Sequence, residues 1–138
     1  MRLVSRTLKI MTALFVLLLS VVALAQEEVK DEKAIYIPLK PPFVVNYGGV
    51  GRLKYLKAEI SVRVNSSDAA NSVRHHLPYI RNNLVLLFSK QSDVDLDSQE
   101  GKEALRQQAL AEILSIVETE DGETGIVDLY FENFVVQR

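Results

Sequence analysis

The clearest helical pattern in the chain lies at residues 75–91, where apolar side chains recur about every 3.6 residues. The stripe consists of Ile80, Leu84, Leu87 and Phe88. Pro78 suits the first turn of such a helix, because a proline lacks the N–H that would be unpaired there. The pattern predicts an amphipathic helix, and we expect the neighbouring strands to cover its apolar side.

Residues 53–64 show the other period, in which apolar and polar side chains alternate. The apolar positions are Leu56, Ala58, Ile60, Val62 and Val64. Lys57, Glu59 and Arg63 fall between them. The alternation predicts a long strand with one buried face, and we interpret the charged row as a solvated sheet face rather than an ion-binding site.

Three further stretches have the composition of strands. Residues 34–39 and 43–46 are short apolar runs, and Pro38 belongs near a strand end because it cannot donate to a sheet ladder. The glycines at positions 48, 49 and 51 predict the turn of a hairpin into the long strand. Residues 126–137 predict a last strand that is paired inside the sheet. Its pattern near Asn133 indicates either a bulge or cover on both faces of that end. Val127, Leu129 and Phe131 are expected to share one of its faces.

Two further helices are predicted, a short one at residues 68–76 and a long amphipathic one that continues to Val117. Asp97 is expected to cap the long helix, with Glu100 three residues later, after a loop at residues 92–96. The order of elements predicts one α+β domain at residues 35–138, with an antiparallel-type sheet and helices on one face.

The first 25 residues differ from the rest, because a basic start is followed by an uncharged apolar run. The run ends in Ala-Leu-Ala, a pattern that a signal peptidase reads, so cleavage between Ala25 and Gln26 is expected. The alternative is an uncleaved membrane anchor, although the run is shorter than the ~20 residues that span a bilayer. Either interpretation predicts an exported domain, preceded by a charged linker at residues 26–34.

Charge and composition argue against several classes of function. Without its first 25 residues the chain keeps 13 of its 16 Lys and Arg residues and all 18 acids, a net charge of −5. This balance argues against binding to nucleic acid or to anionic lipid. The chain has no cysteine, which excludes disulfides and thiolate metal sites.

No catalytic, metal or cofactor motif is recognised. His75 and His76 are adjacent and would point about 100° apart on a helix, so they do not converge on one metal. Asp93, Asp95 and Asp97 would be the acids of an enzyme, but acids near a helix start are ordinary partners of its dipole. We therefore expect a protein that is not an enzyme and needs no cofactor.

Three stretches together resemble the FliL family of flagellar basal-body-associated proteins over about residues 35–137. The first is LKPPFVVN at residues 39–46, followed by YLK at 55–57. The second is HLPYIRN at residues 76–82, which continues into LLFS at 86–89 and EGKEALR at 100–106. The third is VDLYFENFVVQ at residues 127–137.

The resemblance implies a periplasmic domain with a stomatin-like (SPFH) fold that associates into rings beside the flagellar stator and supports torque and motility. As surfaces for self-association or a partner we expect Phe43, Val44 and Val45, together with Arg81 and Asn82. Members of the family usually keep an uncleaved transmembrane helix, from which the short apolar run here departs. The alternative is therefore a soluble periplasmic binding or adaptor module that serves an envelope complex other than the flagellum.

Overall fold

The structure, a computed structural model, describes residues 34–138 together with Val4 and Lys9. The predicted leader and linker, including the Ala25–Gln26 cleavage site, otherwise lie outside the described residues. Residues 34–138 form a mixed α+β domain of four strands and four helices. The elements are β1 (Ile35–Pro38), β2 (Phe43–Tyr47), β3 (Lys54–Val64), α1 (Ser67–His75), α2 (Leu77–Ser89), α3 (Asp93–Asp97), α4 (Gln99–Asp121) and β4 (Ile126–Gln137). Among the described residues, no helix has the length and apolar character needed to cross a membrane.

The long strand β3 is the centre of an antiparallel sheet. β4 pairs with β3 along nearly its whole length, from Tyr55↔Gln137 to Val64↔Ile126. Because β4 occupies one edge of β3, the two short strands share the other edge. β2 pairs with residues 54–58 of β3, and β1 pairs with residues 61–64.

The position of β4 corrects one expectation. Within residues 34–138 it pairs with β3 alone, so it is an edge strand and not an interior one. Its apolar side chains Phe131, Phe134 and Val136 pack against the common core of sheet and helices, while its outer main-chain edge has no strand partner among residues 34–138. The apolar pattern indicates that a face of the strand is covered, but it does not show whether a second strand pairs along the edge.

One face of β3, which we call the covered face, packs against the helices. Its members Leu56, Ala58, Ile60, Val62 and Val64 are buried, as the alternating pattern predicted. The predicted apolar stripe of α2 is confirmed, with Ile80, Leu84 and Phe88 fully buried and Leu87 partly buried. The ring of Phe88 meets that of Phe43 edge to face, with centroids 5.5 Å apart.

The helix ends differ from the prediction between residues 92 and 99. The expected loop contains α3, which begins with a capping box: Ser92 Oγ accepts a hydrogen bond from the N–H of Asp95, whose carboxylate accepts from the N–H of Ser92 at 3.0 Å. The cap of α4 is therefore Ser98 and not Asp97. The helix also runs past Val117 to Asp121 and ends at Gly122, whose φ of 65° terminates it in the left-handed region.

β4 contains two bulges. The first lies at Glu132, between the pairs Ile60↔Phe131 and Glu59↔Asn133, and confirms the predicted irregularity near Asn133. The second lies at Val127, next to the pair Val64↔Ile126. It corrects the expected face of the strand, because Ile126 is buried with Leu129 while Val127 is exposed.

Candidate functional site

The face of the sheet opposite the covered face, which we call the open face, is not uniformly polar. Its side chains belong to the alternate residues of β3 and to their cross-strand partners. Its main members are Tyr36, Val44, Tyr55, Lys57, Glu59, Arg63, Tyr130 and Val135. Val44 is 63% exposed and Tyr36 is 55% exposed, although both are apolar or aromatic. Val44, Tyr55 and Val135 line one depression on this face, and grouped exposed apolar side chains are typical of surfaces that bind a partner.

A row of side chains crosses the open face at its β2 end. Val44 lies opposite Lys57, which in turn lies opposite Val135. With Tyr55 these residues line a shallow depression of about 220 Å³. The predicted solvated face is therefore only partly correct, because the charged residues are accompanied by exposed apolar ones. Tyr55, which stands in the polar phase of the strand, is the sequence signal that could have indicated this.

A second and larger groove of about 490 Å³ lies where β1 ends and β2 has not yet begun. It is lined by Pro38, Lys40, Glu59 and Glu132, among others. Glu59 approaches Lys57 at 3.8 Å, whereas Lys40 and Glu132 form no ion pair within residues 34–138. The open face thus combines an apolar depression with unpaired charge beside it.

Of the five residues expected to form a surface, two have no exposed side chain. Phe43 and Val45 are buried, being 1% and 6% exposed, which corrects their assignment to a contact surface. The strand alternation is responsible, because Val44 between them points to the open face while its neighbours point to the core. Asn82 is exposed on α2.

Arg81 has a structural role. Its Nη1 donates a hydrogen bond to the main-chain oxygen of Pro41 at 2.7 Å and a longer one to that of Leu39 at 3.4 Å. Its guanidinium carbon lies 4.1 Å from the centre of the Phe43 ring, in cation–π geometry. Burial lowers the pKa of Arg81. Arg81 therefore fastens α2 to the β1–β2 connection and brings two of the family-like stretches into contact.

Two of the three alternating acids, Asp93 and Asp97, bind Arg138. Asp93 accepts hydrogen bonds from the hydroxyl of Tyr47 at 2.9 Å and from Nε of Arg138 at 3.0 Å, and it also pairs with Lys54. The hydrogen bond from Lys54, followed by that from Arg138, holds the pKa of Asp93 well below its usual range. Asp97 pairs with Arg138, and Asp95 closes the capping box of α3. This arrangement contains no nucleophile paired with a base.

Ser72, His76 and Asp121 lie in contact where α1 and α4 end. The carboxylate of Asp121 accepts a hydrogen bond from Ser72 Oγ, and its Oδ2 lies 3.0 Å from Nε2 of His76. The aspartate stands between the other two, whereas a catalytic triad needs the imidazole next to the hydroxyl. The hydrogen bond from Ser72, followed by that with His76, lowers the pKa of Asp121. The described residues contain no group of three or more His, Cys, Asp or Glu that could hold a metal ion.

An ion-pair cluster connects α4 with β4. Arg106 pairs with Glu103 and with Asp128, and its Nη1 donates to the main-chain oxygen of Leu129 at 2.9 Å. The hydrogen bond from Arg106 is the main cause that lowers the pKa of Glu103 to about 2. These contacts and those of Asp93 fix helices to the sheet, whereas those of Asp121 join α1 to α4. The open face is left as the candidate functional surface.

Comparisons with known proteins give a consistent result. A family model described as "Flagellar basal body-associated protein FliL" matches residues 36–137. The flagellar protein FliL of Aquifex aeolicus (strain VF5) is 29% identical over 106 residues, which cover 77% of this chain and 63% of that protein. The flagellar protein FliL of Escherichia coli (strain K12) is 34% identical over 77 residues, covering 56% and 46% respectively. The chain thus spans less than two thirds of the length of these curated relatives.

Proposed function

Because the chain belongs to the FliL family of flagellar basal body-associated proteins, which are not enzymes, we propose that it self-associates beside the flagellar stator and supports motor torque during swimming and swarming. The family match over residues 36–137 carries this proposal. The exposed apolar side chains of the open face support it, because a scaffold needs a surface on which copies or partners can pack.

The proposal includes a location. We propose that residues 35–138 form a periplasmic domain with a stomatin-like fold. The leader is either a signal peptide cut between Ala25 and Gln26 or an inner-membrane anchor. Sequencing the N-terminus of the mature protein distinguishes the two, because Gln26 as first residue means cleavage and Met1 means an anchor.

Deletion of the gene tests the flagellar role. We expect deleted cells to swim more slowly in viscous medium and to swarm less, because torque is needed most under high load. A plasmid copy of the full chain should restore both. Unchanged motility of the deleted strain under high load would contradict the proposal.

The second candidate is a soluble periplasmic adaptor that serves an envelope complex other than the flagellum. The Ala-Leu-Ala sequence before Gln26 favours it, since a cleaved chain would lack the helix that packs beside a stator. Cell fractionation separates the candidates. Recovery in the membrane pellet after a carbonate wash disfavours the adaptor, whereas recovery in the periplasmic extract together with normal motility favours it.

A further inference from the structure

The outer edge of β4 has no strand partner among residues 34–138, and its two halves differ. In the first half, Nη1 of Arg106 donates to the main-chain oxygen of Leu129 at 2.9 Å, and a bulge lies at Glu132. Charged side chains and bulges of this kind protect sheet edges from pairing with another chain. The second half, residues 133–137, reads NFVVQ and contains no charge, bulge or proline. This second half, which we call the edge segment, therefore lacks that protection.

The main-chain groups that the edge segment offers follow from its pairing with β3. The main-chain oxygen of Ile60 accepts a hydrogen bond from the connection between β1 and β2, so it points away from β4. Because this direction alternates along a strand, the groups of Ala58 and Leu56 also point away from β4. Their partners on β4 are Phe134 and Val136. Opposite residues of an antiparallel pair share one type of position, so the N–H and C=O groups of Phe134 and Val136 point outwards.

The edge segment is complementary to an antiparallel copy of itself. When Val135 lies opposite Val135 of the second copy, Phe134 of each copy lies opposite Val136 of the other. The outward main-chain groups then meet and exchange hydrogen bonds in both directions. The same register places Asn133 opposite Gln137, so apolar side chains meet apolar ones and amides meet amides. Aromatic and β-branched side chains that face each other across strands stabilise a sheet.

The charges beside the edge segment are complementary in the same register. Glu132 is exposed and forms no ion pair within the described part of the chain, and it comes next to Arg138 of the second copy. Arg138 binds Asp93 through Nε and Asp97 through Nη2, which leaves its Nη1 without a partner among the described residues. Val135, 39% exposed in the single chain, would be covered by its counterpart. A second copy thus matches the main chain, the side chains and the charge of this edge.

We infer that two copies of the chain pair through residues 133–137 as antiparallel strands, about a two-fold axis at Val135, and join their four-stranded sheets into one. This inference rests on the self-association in the proposed function and names the edge that carries it. The contact is isologous, because each copy contributes the same segment, so it closes after two copies. A larger assembly needs a further contact, for which the open face of each copy remains available.

Disulfide cross-linking of the purified full chain tests the pairing, because the sequence contains no cysteine of its own. In V135C the two cysteines lie opposite each other at a position without hydrogen bonds, where Cα atoms are about 4.5 Å apart and a disulfide can form. We expect a linked dimer under mild oxidation. The matched control is V127C, at a position that is 37% exposed on the other half of the same strand, and it should give at least about fivefold less dimer. Equal yields from the two variants would overturn the pairing.

A mixture of two variants tests the register. An N133C chain mixed with a Q137C chain should give a linked heterodimer, because these positions lie opposite each other. Either chain alone should give at least about fivefold less dimer, because each cysteine then lies four residues, or roughly 13 Å, from its counterpart. Equal yields from the mixture and from the single chains would show random collision and would contradict the register.

Two further variants act on the association itself, which light scattering measures at high concentration. V136P removes an outward N–H without removing a hydrogen bond to β3, and V135K brings two lysines face to face. We expect either variant to weaken the dimer at least about tenfold, whereas V127K leaves it unchanged. Circular dichroism checks that each variant folds, and V135K, at an exposed position, serves if V136P does not. A V135K dimer as stable as the wild type would show that the edge segment does not pair.

The outcomes also separate this pairing from the proposed function. If the full chain associates but V135C does not cross-link and V135K does not weaken the association, the pairing is wrong and self-association stands. If the chain stays monomeric at high concentration while gene deletion still lowers motility, both the pairing and self-association are wrong, and the flagellar role stands.

Discussion

The two faces of β3 are built from one alternating sequence, but they meet different surroundings. On the covered face Leu56, Val62 and Val64 are fully buried by helices of the same chain. On the open face Tyr55 is 39% exposed, and its cross-strand neighbourhood includes the still more exposed Val44. A period of two residues therefore identifies the face that the chain itself buries, but it does not show that the other face lacks a partner.

The largest expected effect comes from removing a buried side chain that packs between α2 and the sheet. Phe88→Ala removes a fully buried ring that packs on Phe43, and we expect it to lower the free energy of unfolding by roughly 3–5 kcal/mol. Val135→Thr on the open face is the matched control and should change it by less than about 0.5 kcal/mol. Urea unfolding of both variants measures the contrast. Similar losses for the two would mean that the faces do not differ in the way described.

The contact between α3 and α4 should resist added atoms. Alanine in place of a helical glycine usually stabilises a protein by about 0.5–1 kcal/mol. At Gly101 in α4 the added Cβ would lie 2.8 Å from the carbonyl carbon of Asp95, closer still to its oxygen, and 2.9 Å from Ser98 Oγ. We expect Gly101→Ala to lower the free energy of unfolding by roughly 1–3 kcal/mol, because main-chain atoms must shift. Thermal unfolding beside the exposed control Ser115→Ala checks this, and a gain in stability at Gly101 would contradict it.

Arg81 tests whether a polar contact can matter as much as a buried apolar one. Arg81→Ala removes the hydrogen bonds to the oxygens of Pro41 and Leu39 and the packing on Phe43. We expect a loss of roughly 1–3 kcal/mol in the free energy of unfolding. The neighbouring change Asn82→Ala should cost less than about 0.5 kcal/mol. If both variants unfold at the same urea concentration, Arg81 does not have the proposed role.

The smallest expected effect is on the stability of the fold at low pH. The pKa values of Asp93 and Asp121 are lowered in the folded state by hydrogen bonds, so these carboxylates stabilise the fold above the ordinary aspartate pKa of about 3.9 and lose that contribution as the pH falls below it. We expect Asp93→Asn to lower the melting temperature at pH 7 and to approach the wild type progressively below about pH 4. Glu118→Gln, at an exposed position on α4, is the control. A gap between wild type and Asp93→Asn that stays constant down to pH 2 would contradict this origin.

The regular elements could be predicted because their signals are local. The stripe of α2 and the alternation of β3 depend on residues a few positions apart, and the resemblance to the FliL family is confirmed by the family match. The predictions failed where the structure of a segment depends on residues far from it in the sequence. Whether β4 lies inside the sheet depends on which strands pair with it, and among the described residues only β3 does. The start of α4 depends on α3, which Ser92 caps.

The candidate surface was less predictable for the same reason. Phe43, Val44 and Val45 look alike in sequence, and only the pairing of β2 with β3 shows that the middle one faces outward. Arg81 looks like a surface charge until the oxygens of Leu39 and Pro41, about 40 positions earlier, are placed against it.

The division of one sheet edge between β1 and β2 has a mechanical consequence. β1 is joined to β3 by only four residue pairs, from Ile35↔Val64 to Pro38↔Ser61. Tension on the chain ahead of Ile35 would load these pairs one after another and peel the strand away. The peeling would stop at Leu39, whose N–H donates to the oxygen of Ile60 at 2.9 Å and whose own oxygen is held by Arg81. The first strand can thus act as a short extensible tether, while the rest of the sheet remains folded under load.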